Sequence, residues 1–230
     1  MYVLYIANKN YSSWSLRPWV LMHHLGIAFE ERLVPFIDQG KRNDFRQFSP
    51  NGKVPCLHDG ATVVWDSLAI IEYLAERHAG VWPQEPVARA FARSAAAEMH
   101  SGFPALRQYC SMTCGQRIRL HRIDAPLHSD LERLQALWQD GLARFGGPYL
   151  AGASFTAADA FYAPVAFRIQ TYQPPLAALA RQYAERLLGL PAMRDWYVAA
   201  LAERWRDDAH ERETRAVGTV TEDLRQPPAP

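Results

Sequence analysis

The sequence predicts a two-domain protein in which a mixed α/β domain is followed by an all-α helical bundle. Short apolar runs that are typical of strands alternate with helical stretches over residues 1–78, in the order βαβαββα. A segment with glycine and proline but no periodicity follows at residues 79–86 and is typical of a linker. Across residues 87–215 apolar side chains recur at helical spacing, which predicts the second domain.

The first half of the α/β domain is assigned from four local patterns. Val3–Ile6 is a short apolar strand, and Leu16–Leu25 has helical spacing and stops before Gly26, a residue type that often follows a helix C-terminus. Glu30–Val34 mixes charged and apolar residues and predicts a second strand. Asp44–Phe48 predicts a short helical turn that ends at a Ser-Pro pair.

The second half of this domain predicts a β-hairpin and a closing helix. Val54–Leu57 and Ala61–Val64 are apolar runs separated by Asp59 and Gly60. An Asp-Gly pair between two such runs is a strong hairpin signal, because both residues tolerate the positive φ of a tight turn. Ser67–His78 then predicts the helix that closes the domain.

The helical domain is predicted to open with a long helix from Phe91 to Cys110. Pro104 lies inside this pattern and predicts a kink, because proline removes a backbone donor and crowds the preceding turn. Further helices are predicted over Leu127–Phe145, Thr156–Ile169, Leu176–Leu188 and Ala192–Trp205. Residues 216–230 lack periodicity and end in PPAP, so we expect a mobile tail.

Composition and charge exclude several classes of partner. The chain has 230 residues with a net charge of +1, so no global field recruits nucleic acid or an anionic membrane. No apolar run approaches the ~18 residues of a membrane span, and the N-terminus enters a strand-like run without a basic leader. Cys56, Cys110 and Cys114 do not suggest a disulfide framework, and no histidines or cysteines have metal-ligand spacing. We therefore expect a soluble cytoplasmic protein with reduced thiols and no metal.

Three serines stand where the first strand gives way to the first helix, in the stretch NYSSWSLRPW at residues 10–19. Serine at a helix start often caps backbone N–H groups that lack partners. Capping needs only one residue, and Ser13 or Ser15 can supply it, which leaves Ser12 free to donate a hydrogen bond to a bound anion. Capping alone and capping plus binding both remain open at this point.

Two further motifs each have a structural and a functional interpretation. Val54-Pro55 is either the start of an edge strand or a cis peptide that turns the backbone of Val54 toward a peptide-like ligand. Asp66 and Ser67 open the closing helix, either as its cap or as a site that holds an amine and a carboxylate.

Basic residues cluster after the first half of the long helix, and they are Arg107, Arg117, Arg119, His121 and Arg122. Such a cluster is usually a solvated surface. The alternative is a basic wall that faces an anionic second substrate.

Four stretches, in their order and spacing, resemble the cytosolic glutathione transferases. They are YSSWSLR at 11–17, NGKVPCL at 51–57, WDSLAIIEYL at 65–74 and YLAGASFTAAD at 149–159. The SSWSxR pattern is most similar to the SSCSxR of the zeta class, which includes maleylacetoacetate isomerases, and Trp14 stands where that class has cysteine. The resemblance implies a bacterial glutathione transferase with a thioredoxin-like N-terminal domain, an all-helical C-terminal domain and a homodimeric assembly.

The resemblance also implies which serine acts. Ser12, or failing it Ser13, would donate a hydrogen bond to the glutathione sulfur, and counting back from Arg17 favours Ser12. A thiol with an ordinary pKa of ~8.5 is mostly protonated at neutral pH. A hydrogen bond to the thiolate and a nearby helix N-terminus both favour the charged, nucleophilic form. Serine can act here only as a donor, because its hydroxyl is not a base at this pH.

The glutathione-binding residues that the resemblance implies are Lys41, Val54, Pro55, Asp66 and Ser67. The backbone of Val54 would pair with the cysteinyl part, and Asp66 and Ser67 would hold the γ-glutamyl end. Many relatives have glutamate where Asp66 stands. The position that often contacts the glycyl carboxylate falls on Gly40, so that Gln39 or Lys41 would take its place.

The leading hypothesis is an enzyme that uses glutathione as a co-substrate. It would add the thiolate to a small electrophile in detoxification, or use the thiol in a cis–trans isomerisation. The second substrate would lie between the domains, near Tyr11, Trp14, Met99, Phe103 and Arg107. The alternative is a scaffold of the same fold that binds another protein without catalysis. A glutaredoxin-like function is disfavoured because Ser12 and Ser15 occupy the positions that would carry the paired cysteines.

Overall fold

The computed structural model describes residues 1–38 and 41–228. The N-terminal half contains β1 (Tyr2–Ile6), α1 (Ser13–His24), β2 (Phe29–Leu33), β3 (Ile37–Asp38), β4 (Lys41–Arg42), a 3-10 turn (Phe45–Gln47), β5 (Cys56–Asp59), β6 (Thr62–Trp65) and α2 (Ser67–Ala75). The C-terminal half contains α3 (Pro86–Ser101), α4 (Pro104–Tyr109), β7 (Gln116–Leu120), α5 (Ala125–Phe145), α6 (Ala157–Tyr172), α7 (Ala178–Leu188), α8 (Pro191–Ala202), α9 (Asp208–Val217) and β8 (Gly218–Asp223).

The N-terminal half forms a four-stranded mixed sheet in the order β2-β1-β5-β6. β1 pairs with β2 in parallel, and α1 makes the crossover that a parallel pair requires. β1 pairs antiparallel with β5, and the predicted hairpin joins β5 to β6 around Gly60, whose φ is 59°. The predicted α/β fold class, thioredoxin-like followed by a helical domain, is confirmed. The second helix of the predicted order is reduced to the 3-10 turn, preceded by the short β3–β4 pair.

One hydrophobic core joins the two halves, and α6 is its central element. Almost every side chain of α6 is buried, and the helix packs against α1, α3 and α7. Its N-terminus is closed by a capping box in which Asp159 accepts from the backbone N–H of Thr156 at 2.9 Å. Asp159 also accepts from the Tyr183 hydroxyl at 2.7 Å, and burial raises the pKa of its carboxyl group. The packing of α1 against α6 fixes the start of α1 relative to the helical half.

The long helix predicted from Phe91 to Cys110 is two helices in the structure. α3 ends at Ser101 and α4 begins at Pro104. Proline disfavours helical backbone in the residue before it, and Phe103 adopts a left-handed conformation with φ of 57°. The predicted kink is therefore a complete break, after which α4 packs against α5.

Residues 216–230 were expected to form a mobile tail, and this is wrong for the described residues. The helical half also contains a pair of strands, which was not predicted. β8 pairs antiparallel with β7, with Leu120 opposite Gly218 and Arg117 opposite Glu222. Val220 on β8 packs against the hydrophobic core. A strand alternates inward and outward side chains, and a search for helical periodicity does not detect this pattern. Within the described residues, no helix is long and apolar enough to cross a membrane.

Candidate active site

A cavity of about 400 Å³ lies where the start of α1 meets the loop before β5, the helical half and α9. Ser12 and Ser13 line it together with Val54, and Arg107, Arg168 and His210 line it from the helical half. A neighbouring cleft of about 250 Å³ is lined by Val54, Pro55, Asp66 and Ser67. Trp14, Lys53 and Val54 line both spaces, so the cavity and the cleft are contiguous.

The three serines do not cap α1 with their side chains. Ser12 occupies the N-cap position but makes no side-chain capping bond. Its hydroxyl instead pairs with that of Ser15 at 2.7 Å, and Ser15 accepts from the backbone N–H of Ala7 at 3.3 Å. The Ser13 hydroxyl has no hydrogen-bond partner in the described part of the chain. The capping interpretation is therefore wrong, and two hydroxyls remain at the cavity wall.

The Val54-Pro55 peptide bond is cis, as the sequence suggests. Val54 lies outside the strands, and neither its backbone N–H nor its C=O is paired within residues 1–38 and 41–228. Unpaired backbone groups beside a cleft are a ready partner for the extended backbone of a peptide.

Asp66 is the helix cap that the sequence allowed, and both Asp66 and Ser67 also line the cleft. Asp66 caps α2, accepting from the backbone N–H of Leu68 at 2.8 Å, while its second oxygen lies 3.5 Å from Nε2 of His100. Asp66 has a left-handed φ of 75°, a conformation that costs of order 1–3 kcal/mol in a residue other than glycine. The Ser67 hydroxyl accepts from Arg17 at 3.3 Å. A strained, partly exposed carboxylate at a helix N-terminus is typical of a binding site.

Lys41, another predicted contact, lies on β4 with its side chain exposed and lines neither the cavity nor the cleft. Gln39 and Gly40 lie outside the described residues. Lys53 is the basic residue that the structure does bring to both spaces.

Three arginines give this site a positive electrostatic potential. The Arg17 guanidinium is fully buried, with its carbon 4.0 Å from the centre of the Trp14 ring, and its Nε and Nη2 have no partners in the described residues. Burial, followed by repulsion from Arg107 and Arg168, lowers the pKa of Arg17. Arg107 donates to the Gly102 carbonyl at 2.9 Å, and burial lowers its pKa to about 10. Mutual repulsion of buried cations is relieved by a bound anion.

The predicted basic wall is thus only partly correct. Arg107 lines the cavity, but Arg117, Arg119 and Arg122 line a separate cavity beside β7. Arg168, on α6, was missed because a single arginine on an apolar helix has no distinctive pattern. Its Nη1 donates to the Cys110 carbonyl, and its Nε is buried without a partner among the described residues.

The C-terminal segment is tied to the residue that precedes Ser12. The Tyr11 hydroxyl donates to Glu211 at 2.6 Å and accepts from Arg225 at 2.8 Å. Arg225 also pairs with Glu211 and, at 2.6 Å, with Asp223. We call these four residues the Arg225 clamp. Burial and the Glu211 carboxylate raise the pKa of Tyr11, so its phenol stays protonated.

The clamp brings α9 to the cavity. His210 and Glu213, one turn apart on α9, line the same space as Ser12. Neither residue is predicted from the sequence, because the last segment with helical periodicity ends at Trp205.

The chemistry of the site is that of an anion receptor with hydroxyl donors at its centre. Ser12 and Ser13 stand at a helix N-terminus, where the backbone dipoles favour negative charge. Arg107 and Arg168 add positive charge on the opposite side of the cavity. Within the described residues, no cluster of side chains could hold a metal ion.

Two family models match the chain. A model described as glutathione S-transferase, N-terminal domain, matches residues 11–77, and one described as glutathione S-transferase, C-terminal domain, matches residues 119–211. Together the matched ranges cover well over half of the chain, and they include every residue predicted to contact glutathione, whereas Met99, Phe103 and Arg107 lie between them.

Curated proteins with detectable similarity include three named as maleylacetoacetate isomerases or probable ones. A probable maleylacetoacetate isomerase from Caenorhabditis elegans is 31% identical over 106 residues, which is 45% of this chain and 49% of that protein. The match thus spans about half of that relative's length. The maleylacetoacetate isomerase of Rattus norvegicus is 25% identical over 181 residues, which is 76% of this chain and 81% of that protein.

A solved structure supports the same fold. The maleylacetoacetate isomerase of Methylobacterium extorquens AM1, solved with bound malonate and glutathione, superposes with a TM-score of 0.62. It covers 85% of this chain and 95% of that protein, at 24% sequence identity.

Proposed function

Because this chain belongs to the glutathione S-transferase family, we propose that Ser12 activates the thiol of glutathione for attack on a small electrophile. The electrophile is then either conjugated or, when the thiol leaves again, isomerised about a double bond. The observation that carries this proposal is the position of Ser12 and Ser13 where a peptide-sized cleft opens into an arginine-lined cavity.

Glutathione fits the cleft with its γ-glutamyl end toward α2. Its amine pairs with the second oxygen of Asp66, beside Nε2 of His100, and its carboxylate accepts from the Ser67 hydroxyl at the start of α2. The cysteinyl backbone pairs with the free N–H and C=O of Val54, beside Pro55. Lys53 is better placed than Lys41 for the glycyl carboxylate, since Lys53 lines both spaces.

The hydroxyl chain at α1 supports Ser12 as the principal donor. In the structure the Ser12 hydroxyl donates to Ser15, which also accepts from the backbone N–H of Ala7. Because a hydroxyl can both donate and accept, rotation about the two C–O bonds lets Ser15 donate to the Ser12 oxygen when a ligand is bound. Ser12 then directs its proton toward the sulfur, with its acidity enhanced by the bonds behind it. Ser13, whose hydroxyl has no partner in the described chain, is the second donor.

The second substrate is an anion. Arg107 and Arg168 face the cavity with their charges only partly neutralised by main-chain carbonyls, and no acidic residue other than Glu213 lines it among those described. A carboxylate between the two guanidiniums would relieve their repulsion. Relatives that act on maleylacetoacetate, a dicarboxylate, and a solved relative with bound malonate point to the same class of substrate.

Three further features complete the proposal: a homodimer, a cytoplasmic location and a role in detoxification. Trp65 on the edge strand β6 and Val87 on α3 are 43% and 57% exposed, which supports a contact with a second copy. Cys56, Cys110 and Cys114 are all free, as expected in a reducing compartment. Light scattering on a size-exclusion column measures the assembly directly.

Calorimetric titration with glutathione tests the proposal and separates it from a non-catalytic scaffold. The wild type should bind glutathione, and Ser67→Ala should weaken binding about 10-fold, the effect of losing one hydrogen bond to a charged group. Ser101→Ala, an exposed serine on α3, is the matched control and should bind as the wild type does. Absence of both binding heat and thermal stabilisation in the wild type would favour the scaffold.

A further inference from the structure

His210 forms a rigid dyad with Asp207 on the α9 wall of the cavity. Nδ1 of the imidazole bonds to Oδ2 of Asp207, whose side chain is only 2% exposed. With Nδ1–H donating to this carboxylate, Nε2 is the nitrogen left to interact with a ligand. Nε2 has no hydrogen-bond partner in the described part of the chain, and the ring lines the same cavity as Ser12.

The imidazole is also held in place by two aromatic rings. Its centre lies 4.9 Å from that of Tyr11 and 5.3 Å from that of Phe36, with interplanar angles of 21° and 27°. Tyr11 is itself immobilised by the Arg225 clamp. A histidine that is stacked, oriented by a buried carboxylate and open to a cavity has the arrangement of a general acid or base.

The proposed thiolate addition needs such a group. When the sulfur of glutathione attacks the β-carbon of a conjugated enone, a C–S bond forms and the C=C electron pair moves to give an enolate. The thiol proton has already left to solvent, so the enolate must take a proton from another donor. An imidazolium Nε2–H can supply it, and the resulting neutral imidazole recovers a proton from water.

We propose that His210, oriented by Asp207, is the general acid that protonates the enolate formed when glutathione adds to a conjugated carbonyl substrate. This inference rests on the proposed function and adds the residue that completes the reaction. In an isomerisation the same imidazole stabilises the enolate oxygen while the former double bond rotates. General acid catalysis of this kind contributes ~10²–10⁴-fold.

The charged and titratable groups around the dyad come from several elements. They are Asp207 at the start of α9, Glu211 and Glu213 on α9, Tyr11 before α1, Arg42 on β4 and Arg225 after β8. Arg42 lies 3.9 Å from the second oxygen of Asp207. All of these charges influence whether His210 carries a proton, so the reaction rates are measured across the full pH range.

The experiment compares two electrophiles that differ in their need for a proton. Addition to an enone needs one, whereas displacement of chloride from 1-chloro-2,4-dinitrobenzene does not, because the chloride leaves as an anion. His210→Gln should lower kcat on the enone about 100-fold and leave kcat on the aryl chloride within about 3-fold of wild type. The enone rate of the variant should also lose its decline at alkaline pH, where the general acid of the wild type is deprotonated.

Two further variants separate a chemical role from a structural one. Asp207→Asn should lower the enone rate and shift the alkaline limb of its pH profile, with near-wild-type aryl chloride turnover. His128→Gln removes the histidine of an exposed pair with Glu132 on α5, and it should change neither rate. An equal loss on both electrophiles in His210→Gln, or no loss on either, would overturn the role of His210.

The outcome also distinguishes this inference from the proposed function. If the wild type turns over both electrophiles and His210→Gln matches it on both, only the role of His210 fails. If the wild type neither binds glutathione nor turns over the aryl chloride, the proposed function itself fails.

Discussion

Replacing Ser12 by alanine should raise the pKa of the bound glutathione thiol. The Ser12 side chain is 4% exposed and stands at the N-terminus of α1, so the hydrogen bond that it gives to sulfur is shielded from water. A hydrogen bond to a charged group is worth about 1.5–3 kcal/mol, and one pKa unit corresponds to ~1.36 kcal/mol. Ser12→Ala should therefore raise the thiol pKa by about 1–2 units, toward the ordinary value of ~8.5.

The titration is followed by the ultraviolet absorbance of the thiolate in the binary complex. At neutral pH the rate of aryl chloride conjugation should fall about 10- to 100-fold, in step with the thiolate fraction. Glutathione affinity should change little, because the contacts at Val54, Asp66 and Ser67 remain.

The two neighbouring serines are the matched controls. Ser15→Ala removes the group that polarises Ser12 and should give a smaller rise in the thiol pKa. Ser13→Ala removes the hydroxyl of Ser13, the second proposed donor, and tests its effect on the thiol pKa. The reasoning is refuted if the thiol pKa is the same in the wild type, in Ser12→Ala and in the variant lacking both Ser12 and Ser13.

Three further outcomes are expected. Arg107→Gln should raise KM about 10-fold for an electrophile that carries a carboxylate, and steady-state kinetics with an uncharged analogue should show little change. Arg225→Ala leaves Glu211 with only the exposed Arg215, 3.6 Å away, as a cation partner; chemical denaturation should show a loss of up to about 3–5 kcal/mol, and an unchanged midpoint would contradict the clamp. Burial tends to raise the pKa of Asp223, but hydrogen bonds from Arg225 outweigh it and lower the pKa to about 2. The stabilisation from Asp223 is therefore present above its unfolded value of 3.8 and is lost as the pH falls toward about 2, so hydrogen exchange should show β8 opening in this range.

Much of the N-terminal half was predictable because its signals are local. Gly60 supplies the positive φ of the β5–β6 turn, while Asp59 is the last residue of β5 and pairs with Thr62. Val54-Pro55 offered only two conformations. Val54, Asp66 and Ser67 stand out in the sequence because their motifs are local, and the family resemblance implies the binding roles proposed for them. The structure brings these residues to one cleft because β5, β6 and α2 are consecutive in the chain.

The other wall of the site was not predictable, because it depends on long-range packing. Arg168 reaches the cavity only because α6 lies behind α1, and its sequence neighbours are apolar. His210 and Arg225 lie in a polar segment that is ordered by pairing with β7 and by ion pairs, and neither has a periodic signature. The break at Phe103 was predicted only as a kink, because the left-handed φ depends on how α4 packs.

The most direct measurement is a crystal structure of the protein with glutathione. The account predicts the sulfur within hydrogen-bonding distance of the Ser12 hydroxyl, the cysteinyl backbone paired with Val54, and the γ-glutamyl group at Asp66 and Ser67. A sulfur that contacts neither Ser12 nor Ser13, with the tripeptide bound outside this cleft, would contradict the central claim.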